Sequence, residues 1–579
     1  MPSDARIRRI PLAVTALVLI LAGLLLPRDW YDALPWGPDL PPQPLRGVTL
    51  LQLAMVLQGV ALLWWSRRQV LFRSLAPTAL ASGPAADPGD DAWGARLALL
   101  GVTLLGAALR FAHAGSGLWL DEIAPLMDYA SLSPFHVVAS YQRSNNHLLN
   151  TLLVKASVAL FGEQEWAIRL PAILFGSATV PALYWACRET VGRRVALGAA
   201  FLLAVSYHHI FFSQNARGYA GYMLFAIAAS GFLVSGLQRD RPRDWVLYVA
   251  AMYLGFASQL LTTFVYIAHA LVGIAALIQV RSRGDSPAPL CRRLTGVFAI
   301  LGLLVFQLYA LILPQAYVVA KTTYGADASG FRPFTMEFLQ EIVKGVSAGF
   351  GAGLLLAAIP VLALGAVGFV GLLRRRWLLG AALAVPLLTT AAFLLLRGYT
   401  FSPRFFLLAV PLTMLCAAQS IESATNFLVG RRPSGARLAP RLVSVATLLL
   451  GCLSAAALGP YYRTPKQDYR AAVGYLEVTR RPGDAIVVFG IAERGMQFYA
   501  RKAGVADSDY TYLRDIDALH RLVASDTARR VFVVTTFMRD LRLTYPSLDA
   551  ELRTTWVERA RFAGTVGDGA VLVFTSPRT

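Results

Sequence analysis

Apolar segments of about 20 residues recur along this chain of 579 residues, separated by short loops rich in arginine. Hydrophobic residues make up 56% of the sequence and charged residues only 15%, whereas about a quarter of the residues in a soluble domain are charged. Segments of this length cross a bilayer as helices, because a helix satisfies its backbone hydrogen bonds internally. The sequence therefore predicts a polytopic α-helical membrane protein.

Hydropathy predicts about thirteen transmembrane helices. They lie near residues 10–26, 47–65, 95–113, 167–187, 195–212, 219–237, 245–262, 264–280, 294–314, 346–373, 377–396, 405–422 and 442–459. The first is expected to be a retained anchor, because no small-residue cleavage site follows it before Pro27.

Arginine in the short loops indicates the orientation of these helices, since positive charge is retained on the cytoplasmic side. The arginine-rich loops alternate along the chain, and we expect them to be cytoplasmic. The opposite side then receives the long loop 114–166, the loop 315–345 and everything after residue 460. The net charge of +20 is explained by this membrane pattern, whereas nucleic-acid binding would need basic residues gathered on one soluble face.

Composition divides the chain into four predicted regions. They are two N-terminal helices in 1–73, an Ala-, Pro-, Gly- and Asp-rich cytoplasmic linker in 74–94, a transmembrane catalytic domain in 95–459, and a soluble α/β domain in 460–579. The last region contains three buried-strand patterns, AIVVFG, ARRVFVVTT and GAVLVFT, alternating with helical ones. No glycine-rich phosphate loop follows these strands, which argues against a nucleotide site.

Two adjacent carboxylates, Asp121 and Glu122, follow the third predicted span by a few residues. Taken alone, the pair fits the start of a helix near Ile123, because acidic residues are favoured at a helix N-terminus. Trp119 is of a residue type that lies at the membrane interface, so Asp121 is expected at headgroup depth, where a carboxylate is costly unless it is used or paired. A helix cap and a reactive carboxylate both remain open from these residues alone.

Further polar segments lie on the same predicted face. SNNH at 144–147 is in the same loop, SQNARGY contains Gln214 and Arg217, and RGYTFSPR contains Tyr399 and Arg404. Each arginine alone fits a side chain that extends to the membrane interface. Arginines outside the positive-inside pattern are also expected where an anionic lipid phosphate binds, because the guanidinium matches phosphate oxygens in two contacts.

Five motifs along the chain carry a resemblance to a known family. They are WLDE, NNHLLNTLL with FGEQEWAIRLPAILFG, FFSQNARGYAGY, YTFSPRFFLLAVPL, and PKQDYRAAVGYLEVTRRPGD. With them the chain resembles a bacterial member of glycosyltransferase family 39, a group with the GT-C fold that includes protein O-mannosyltransferases and the lipid A aminoarabinose transferase. The resemblance implies sugar transfer from a polyprenyl-phosphate donor to an acceptor hydroxyl on a lipid, glycan or protein. It also implies that the active site and the C-terminal domain lie on the periplasmic side of the bacterial inner membrane.

The same resemblance implies roles for individual residues. Asp121 matches the catalytic base and Glu122 its companion, while Arg217 and Arg404 match positions close to the carrier phosphate. Lys321 and Tyr399 are further candidates for phosphate binding. Candidates for acceptor or sugar contacts are Asn145, Asn146, His147 and Gln214, although the chain reads Asn146-His147-Leu148-Leu149 where the family has an HPPL-like stretch.

A phosphate leaving group needs no general acid, because basic side chains stabilise its developing charge. One carboxylate base with two arginines therefore predicts an inverting transfer. No cofactor is certain: the lack of a His/Asp cluster at ligand spacing argues against a tight metal site and leaves a loosely held divalent cation open.

Two other classes of function remain as alternatives. A carrier or flippase of lipid-linked saccharides would need no catalysis, but it favours charged or broken helices at the bilayer midplane and an inverted repeat, and neither pattern occurs. A scaffold that displays the C-terminal domain would not require a carboxylate and arginines on one membrane face. The sequence favours the transferase.

Overall fold

The structure of the protein is a computed structural model that describes residues 9–27, 44–68, 80, 92–143, 145–323, 336, 355–397, 402–429, 435–525 and 530–576. Most of the predicted linker 74–94 and part of the loop 315–345 lie outside these residues. The chain divides into two compact units. We name them the membrane unit, comprising Met1–Ala112, Leu132–Ala156 and Arg169–Ala457, and the C-terminal unit, comprising His113–Ser131, Ser157–Ile168 and Leu458–Thr579.

Helices and the loops that connect them make up the described part of the chain as far as residue 463. They are α1 Arg9–Leu25, α2 Pro44–Arg68, α3 Ala92–Phe111, α4 Leu120–Pro125, α5 Pro134–Ala139, α6 Leu148–Phe161, α7 Glu165–Val191, α8 Arg193–Ala204, α9 Tyr207–Ser213, α10 Tyr219–Arg239, α11 Pro242–Ser258, α12 Thr262–Ser282, α13 Ala288–Tyr309, α14 Leu313–Thr323, α15 Leu355–Arg397, α16 Ala409–Val429, α17 Gly435–Ala456 and α18 Leu458–Arg463. A π-helical turn, Leu126–Ala130, follows α4, and a 3₁₀ turn, Pro403–Phe406, precedes α16.

The protein is a multi-span membrane protein. Among the described residues, eight helices are long and apolar enough to cross a membrane, or nine if the bent pair α8 and α9 forms one span. Each of the thirteen predicted spans falls on a helix where its residues are described, but some of these helices are too short or too polar to qualify. One of them is α11, which has 17 residues. Helix α6, a 14-residue apolar helix inside the loop 114–166, was not predicted.

The bend between α8 and α9 is stabilised by a buried arginine of α3. The two helices differ in direction by 61°, where the sequence predicts one continuous span over 195–212. The guanidinium of Arg110 donates to the carbonyl of Ala204 at 3.1 Å and, through Nε, to Ser213 Oγ at 3.2 Å. Because Arg110 satisfies a carbonyl at the end of α8, the chain can bend there without a buried unsatisfied acceptor.

A buried ion pair holds the adjoining ends of α10, α11 and α13. Arg293 Nε donates to Asp240 Oδ1 at 3.1 Å, and the indole of Trp245 donates to the same oxygen at 2.8 Å. Arg293 and Asp240 are 1% and 2% exposed. Loss of either partner of such a buried pair is strongly destabilising, because the remaining charge is then buried without compensation.

The C-terminal unit contains a five-stranded sheet and five α-helices beyond α18 in its described part. The strands are β1 Ala485–Phe489, β2 Tyr510–Leu513, β3 Val531–Thr536, β4 Val557–Phe562 and β5 Val571–Thr575. The helices that follow α18 are α19 Tyr469–Thr479, α20 Glu493–Lys502, α21 Ile516–Ser525, α22 Met538–Thr544 and α23 Pro546–Thr554, together with short 3₁₀ turns that include Gly490–Ala492.

The sheet has the order β2-β1-β3-β5-β4. β1 pairs in parallel with β2 and β3, with Ile486 opposite Phe532, and β5 is antiparallel to both β3 and β4. β3 and β5 are buried along their whole length, whereas β4 at the edge is mostly exposed. Buried, mostly apolar inner strands and a polar edge strand are typical of a mixed sheet covered by helices.

Candidate active site

The segment that carries Asp121 belongs to the C-terminal unit. Trp119 is extended, α4 begins at Leu120, and Asp121 and Glu122 are therefore in the first turn of this helix. Glu122 is 1% exposed, and its carboxylate accepts a hydrogen bond from the backbone N–H of Trp119 at 3.3 Å. This contact is the helix-cap role that the sequence left open for the pair. Asp121 is half-buried and remains the candidate base.

Three successive backbone N–H groups immediately before Asp121 donate to side chains. Leu118 donates to the hydroxyl of Tyr499 at 2.7 Å, and Leu120 donates to Oε1 of Gln467 at 2.8 Å. Trp119, between them, donates to Glu122. The start of α4 is thus fixed by acceptors that satisfy N–H groups with no partner inside the helix.

Tyr469, at the start of α19, lies within electrostatic reach of Asp121. Burial raises the pKa of the Tyr469 hydroxyl, and the negative charge of Asp121 raises it further. Its ring is completely buried, and a side chain at Gly495 would collide with it, since a Cβ there would lie 2.3 Å from Cζ of Tyr469. Tyr469 is therefore a rigid, protonated neighbour of the candidate base.

The membrane unit brings together His147, Arg217 and Arg404, three of the residues named from the sequence. Arg217 Nε donates to Nε2 of His147 at 3.1 Å. Burial lowers the pKa of His147 well below its ordinary value, and the positive charges of Arg217 and Arg404 lower it further. His147 is therefore neutral, with its Nε2 lone pair turned to Arg217. Two arginines from distant motifs thus act electrostatically on one buried histidine, and one of them, Arg217, contacts it.

The backbone around this arginine cluster is closely packed. A Cβ on Gly218 would lie 1.8 Å from the carbonyl oxygen of Ser258 and 3.1 Å from Cβ of His147, so only glycine fits there. Asn150 Nδ2 donates to the carbonyl of Ala216 at 3.0 Å. These contacts fix the segment that carries Arg217 between α9 and α10.

Several buried amide oxygens near the cluster have no hydrogen-bond partner among the described residues. They belong to Asn145, Asn146, Asn150 and Asn215. The amide nitrogen of Asn146, in contrast, donates to the carbonyls of Val137 and Ser140 at 2.8 and 2.9 Å. Buried polar atoms without a partner are rare in native proteins, and they are expected where a polar ligand or water binds.

The other predicted site residues are Gln214, Lys321 and Tyr399. Gln214 Nε2 donates to the carbonyl of Arg110 at 2.6 Å, a contact at the end of α3. Lys321 falls in α14, whose Gln315 donates to the carbonyl of Ala139 at 2.9 Å. Tyr399 lies outside the described residues, and roles for all three remain predictions.

Comparisons with known proteins address the family and the fold. Residues 148–310 match the family model described as dolichyl-phosphate-mannose-protein mannosyltransferase. No curated protein matches the sequence. The structure is similar to that of ArnT from Cupriavidus metallidurans in the apo state, with a TM-score of 0.50, 15% identity, and coverage of 83% of this chain and 98% of that one.

Two further solved structures match with lower scores. One is the same ArnT bound to undecaprenyl phosphate, with a TM-score of 0.48, 15% identity, and coverage of 84% of this chain and 98% of that one. The other is the oligosaccharyltransferase of Archaeoglobus fulgidus in complex with Zn and sulfate, with a TM-score of 0.44, 12% identity, and coverage of 82% and 72%.

The protein has the GT-C fold of membrane glycosyltransferases. This result confirms the predicted fold class, a polytopic helical chain with a C-terminal α/β domain, and the family model confirms the predicted resemblance. In this GT-C chain the family model covers the segment from α6 to α13, which includes Arg217.

Sequence reasoning missed several residues of this GT-C protein that contact the candidate site. Gln467 and Tyr469 lie in the quoted PKQDYRAAVGYLEVTRRPGD motif, but nothing in its pattern indicates a contact with the segment 118–122. The sequence around Tyr499 gave no indication of a role in the site. Asn150 and Asn215 gave a weak indication, because buried amides next to apolar helices need hydrogen-bond partners.

In the part of the chain that the structure describes, no three His, Cys, Asp or Glu side chains cluster as a metal site requires.

The lowered pKa of His147 predicts a pH dependence of stability. An unfolded histidine takes up its proton near pH 6.5, whereas the folded chain keeps His147 neutral to lower pH. The contribution of this group is therefore complete above about pH 6.5, and stability falls by at most about 1.4 kcal/mol for each pH unit below it. We expect thermal unfolding in detergent to show a larger loss on acidification for the wild type than for His147→Gln. Equal losses in the two proteins would contradict the assignment.

Proposed function

We propose that this protein transfers a sugar from a polyprenyl-phosphate donor to the hydroxyl group of a lipid, glycan or protein acceptor. The observation that carries the proposal is that Arg217 contacts the buried, neutral His147 and that Arg404 lies within electrostatic reach of the same histidine. Two guanidinium groups whose charges both act on one buried histidine of a membrane protein are suited to bind a lipid phosphate, since arginine matches phosphate oxygens in two contacts.

In the proposed reaction, the Asp121 carboxylate takes the proton of the acceptor hydroxyl. The acceptor oxygen attacks the anomeric carbon, and the bond between that carbon and the phosphate oxygen breaks. The electron pair leaves with the polyprenyl phosphate, whose charge is stabilised by Arg217 and Arg404. A single displacement of this kind inverts the configuration at the anomeric carbon.

The unpartnered oxygens of Asn145, Asn146, Asn150 and Asn215 support the idea that a polar ligand binds near the arginines. Amide oxygens accept hydrogen bonds from hydroxyl groups, which a sugar provides in number. We therefore infer that the sugar of the donor lies next to its phosphate in the membrane unit.

Transfer in vitro tests the proposal directly. The purified protein in nanodiscs would be incubated with a panel of polyprenyl-phosphate sugars and with lipid, glycan and peptide acceptors, and glycosidic products would be identified by mass spectrometry. Formation of a new glycoside supports the transferase. Flux of intact lipid-linked sugar across proteoliposomes, without any glycoside, would instead indicate the carrier.

The orientation of the chain is the second part of the proposal. We expect residue 121 and the C-terminal region to lie on the same, non-cytoplasmic side of the inner membrane, because the arginine-rich loops alternate with the segments that carry them. A reporter that is active only after export should be active in both fusions, one after Ser116 and one after Arg470. Opposite signals from the two fusions would overturn the arrangement.

A further inference from the structure

Both the amide oxygen and the amide nitrogen of Gln467 make hydrogen bonds inside the C-terminal unit. Its Oε1 accepts from the backbone N–H of Leu120 at 2.8 Å, and its Nε2 donates to Thr536 Oγ1 at 3.0 Å and to the carbonyl of Gly569 at 3.1 Å. Gln467 is 0% exposed. A buried polar side chain with every contact satisfied is held in one conformation.

The chemistry of the partners fixes which way this amide points. The N–H of Leu120 only donates, and the carbonyl of Gly569 only accepts. The hydroxyl of Thr536 donates to the carbonyl of Ala570 at 3.0 Å, so it is available to accept from Gln467. The oxygen of the amide is therefore directed to Leu120, the residue before Asp121.

Tyr499 of α20 accepts a hydrogen bond from a second backbone N–H, that of Leu118, two residues before Leu120. Its hydroxyl donates to Glu165 Oε1 at 3.5 Å, which leaves an oxygen lone pair to accept from the N–H of Leu118 at 2.7 Å. The same helix carries Arg494, whose guanidinium lies 3.0 Å from the carboxylate of Asp128 beyond α4. The segment from Leu118 to Asp128 is thus held at both ends by residues beyond 460.

We propose that Gln467 and Tyr499 are positioning residues that hold Asp121 in the conformation needed for transfer. Neither is assigned a contact with substrate. Each instead accepts a hydrogen bond from a backbone N–H within three residues of Asp121. These bonds link the segment before Asp121 to the sheet through Gln467 and to α20 through Tyr499. The catalytic consequence of this proposal rests on the proposed role of Asp121 as base, whereas the ordering of the segment 118–121 does not.

The test uses Gln467→Met and Tyr499→Phe in the full-length protein in nanodiscs. Gln467→Met keeps the length of the side chain and removes its acceptor and donors, and Tyr499→Phe removes only a hydroxyl. Tyr510→Phe is the matched control, because it removes a hydroxyl that donates to Glu477 at 3.1 Å in the same unit. Hydrogen exchange of peptides covering 113–131 and the kcat and KM of transfer would be measured for each.

We expect faster exchange in 113–131 for both variants, with the strands β1 and β3 unchanged. Since displacement of a catalytic group lowers the rate of reaction more than binding, kcat should fall about tenfold while KM for the lipid donor stays constant. Tyr510→Phe should show neither change. In an Asp121→Asn background the two variants should cause no further loss of kcat.

Three results would overturn the proposal: unchanged exchange in 113–131, faster exchange with full kcat, or an equal loss of kcat in Tyr510→Phe. If Gln467→Met does not fold, Tyr499→Phe still decides, since it preserves the packing of the ring. A wrong assignment of Asp121 as the base would be detected separately. Asp121→Asn would then transfer sugar at the wild-type rate, whatever the hydrogen exchange of the peptides covering 113–131.

Discussion

Replacing Asp121 with Asn should reduce turnover by about 10²–10⁴, the usual loss when a general base is removed. Asn keeps the shape of the side chain and one acceptor oxygen, but it cannot take the proton of an acceptor hydroxyl. We expect the variant to fold and to bind the polyprenyl-phosphate donor as the wild type does. Single-turnover transfer and donor binding in nanodiscs would separate these effects.

Glu122→Gln is the contrasting variant. The carboxylate of Glu122 accepts from the backbone N–H of Trp119, and a Gln side chain keeps an oxygen for that contact. We therefore expect a smaller loss than in Asp121→Asn. If Asp121 only caps α4, Asn at 121 would be nearly silent, because Asn caps a helix about as well as Asp. An Asp121→Asn enzyme with wild-type turnover would refute the mechanism.

The spans were predictable because a membrane helix is specified by local composition. Each predicted span coincides with a helix where its residues are described, and Arg376 interrupts α15 between the two spans predicted there. The bend between α8 and α9 was not predictable, since it depends on Arg110 of another helix. Helix α6 was missed because a helix of 14 residues is too short to span a bilayer.

The strands of the C-terminal sheet were also only partly predictable from the sequence. The three strands found from the sequence, β1, β3 and β5, are the inner ones, and their continuous apolar runs mark them clearly. β2 and β4 lie at the two edges, and β4 reads VERARF, with four of its residues exposed. An edge strand is defined by its neighbour rather than by its own pattern.

The candidate site was predictable as a set of residue types but not as contacts. The motifs named His147, Arg217 and Arg404, and the structure brings these three together. Gln467 and Tyr499 lie more than 340 positions from the backbone groups of Leu120 and Leu118 that they satisfy. No local pattern encodes pairs at such separation, because they arise only when the chain folds.

Replacing Arg217 or Arg404 with Ala should weaken use of the lipid donor by about 10- to 150-fold, which corresponds to about 1.5–3 kcal/mol for one charge-assisted contact to phosphate. The loss should appear in KM or in Kd for the polyprenyl phosphate, with the acceptor KM unchanged. Arg397→Ala is a suitable control, because Arg397 is an exposed arginine at the end of α15, seven residues before Arg404.

Arg217→Lys separates charge from geometry. Lysine keeps the positive charge, but a single ammonium cannot reproduce the planar fork of a guanidinium whose Nε donates to His147. We expect Arg217→Lys to recover only part of the donor affinity lost in Arg217→Ala. Full recovery would mean that charge alone matters at this position. Wild-type kinetics in both Arg217→Ala and Arg404→Ala would mean that these side chains only extend to the membrane interface, and the donor phosphate would have to bind elsewhere.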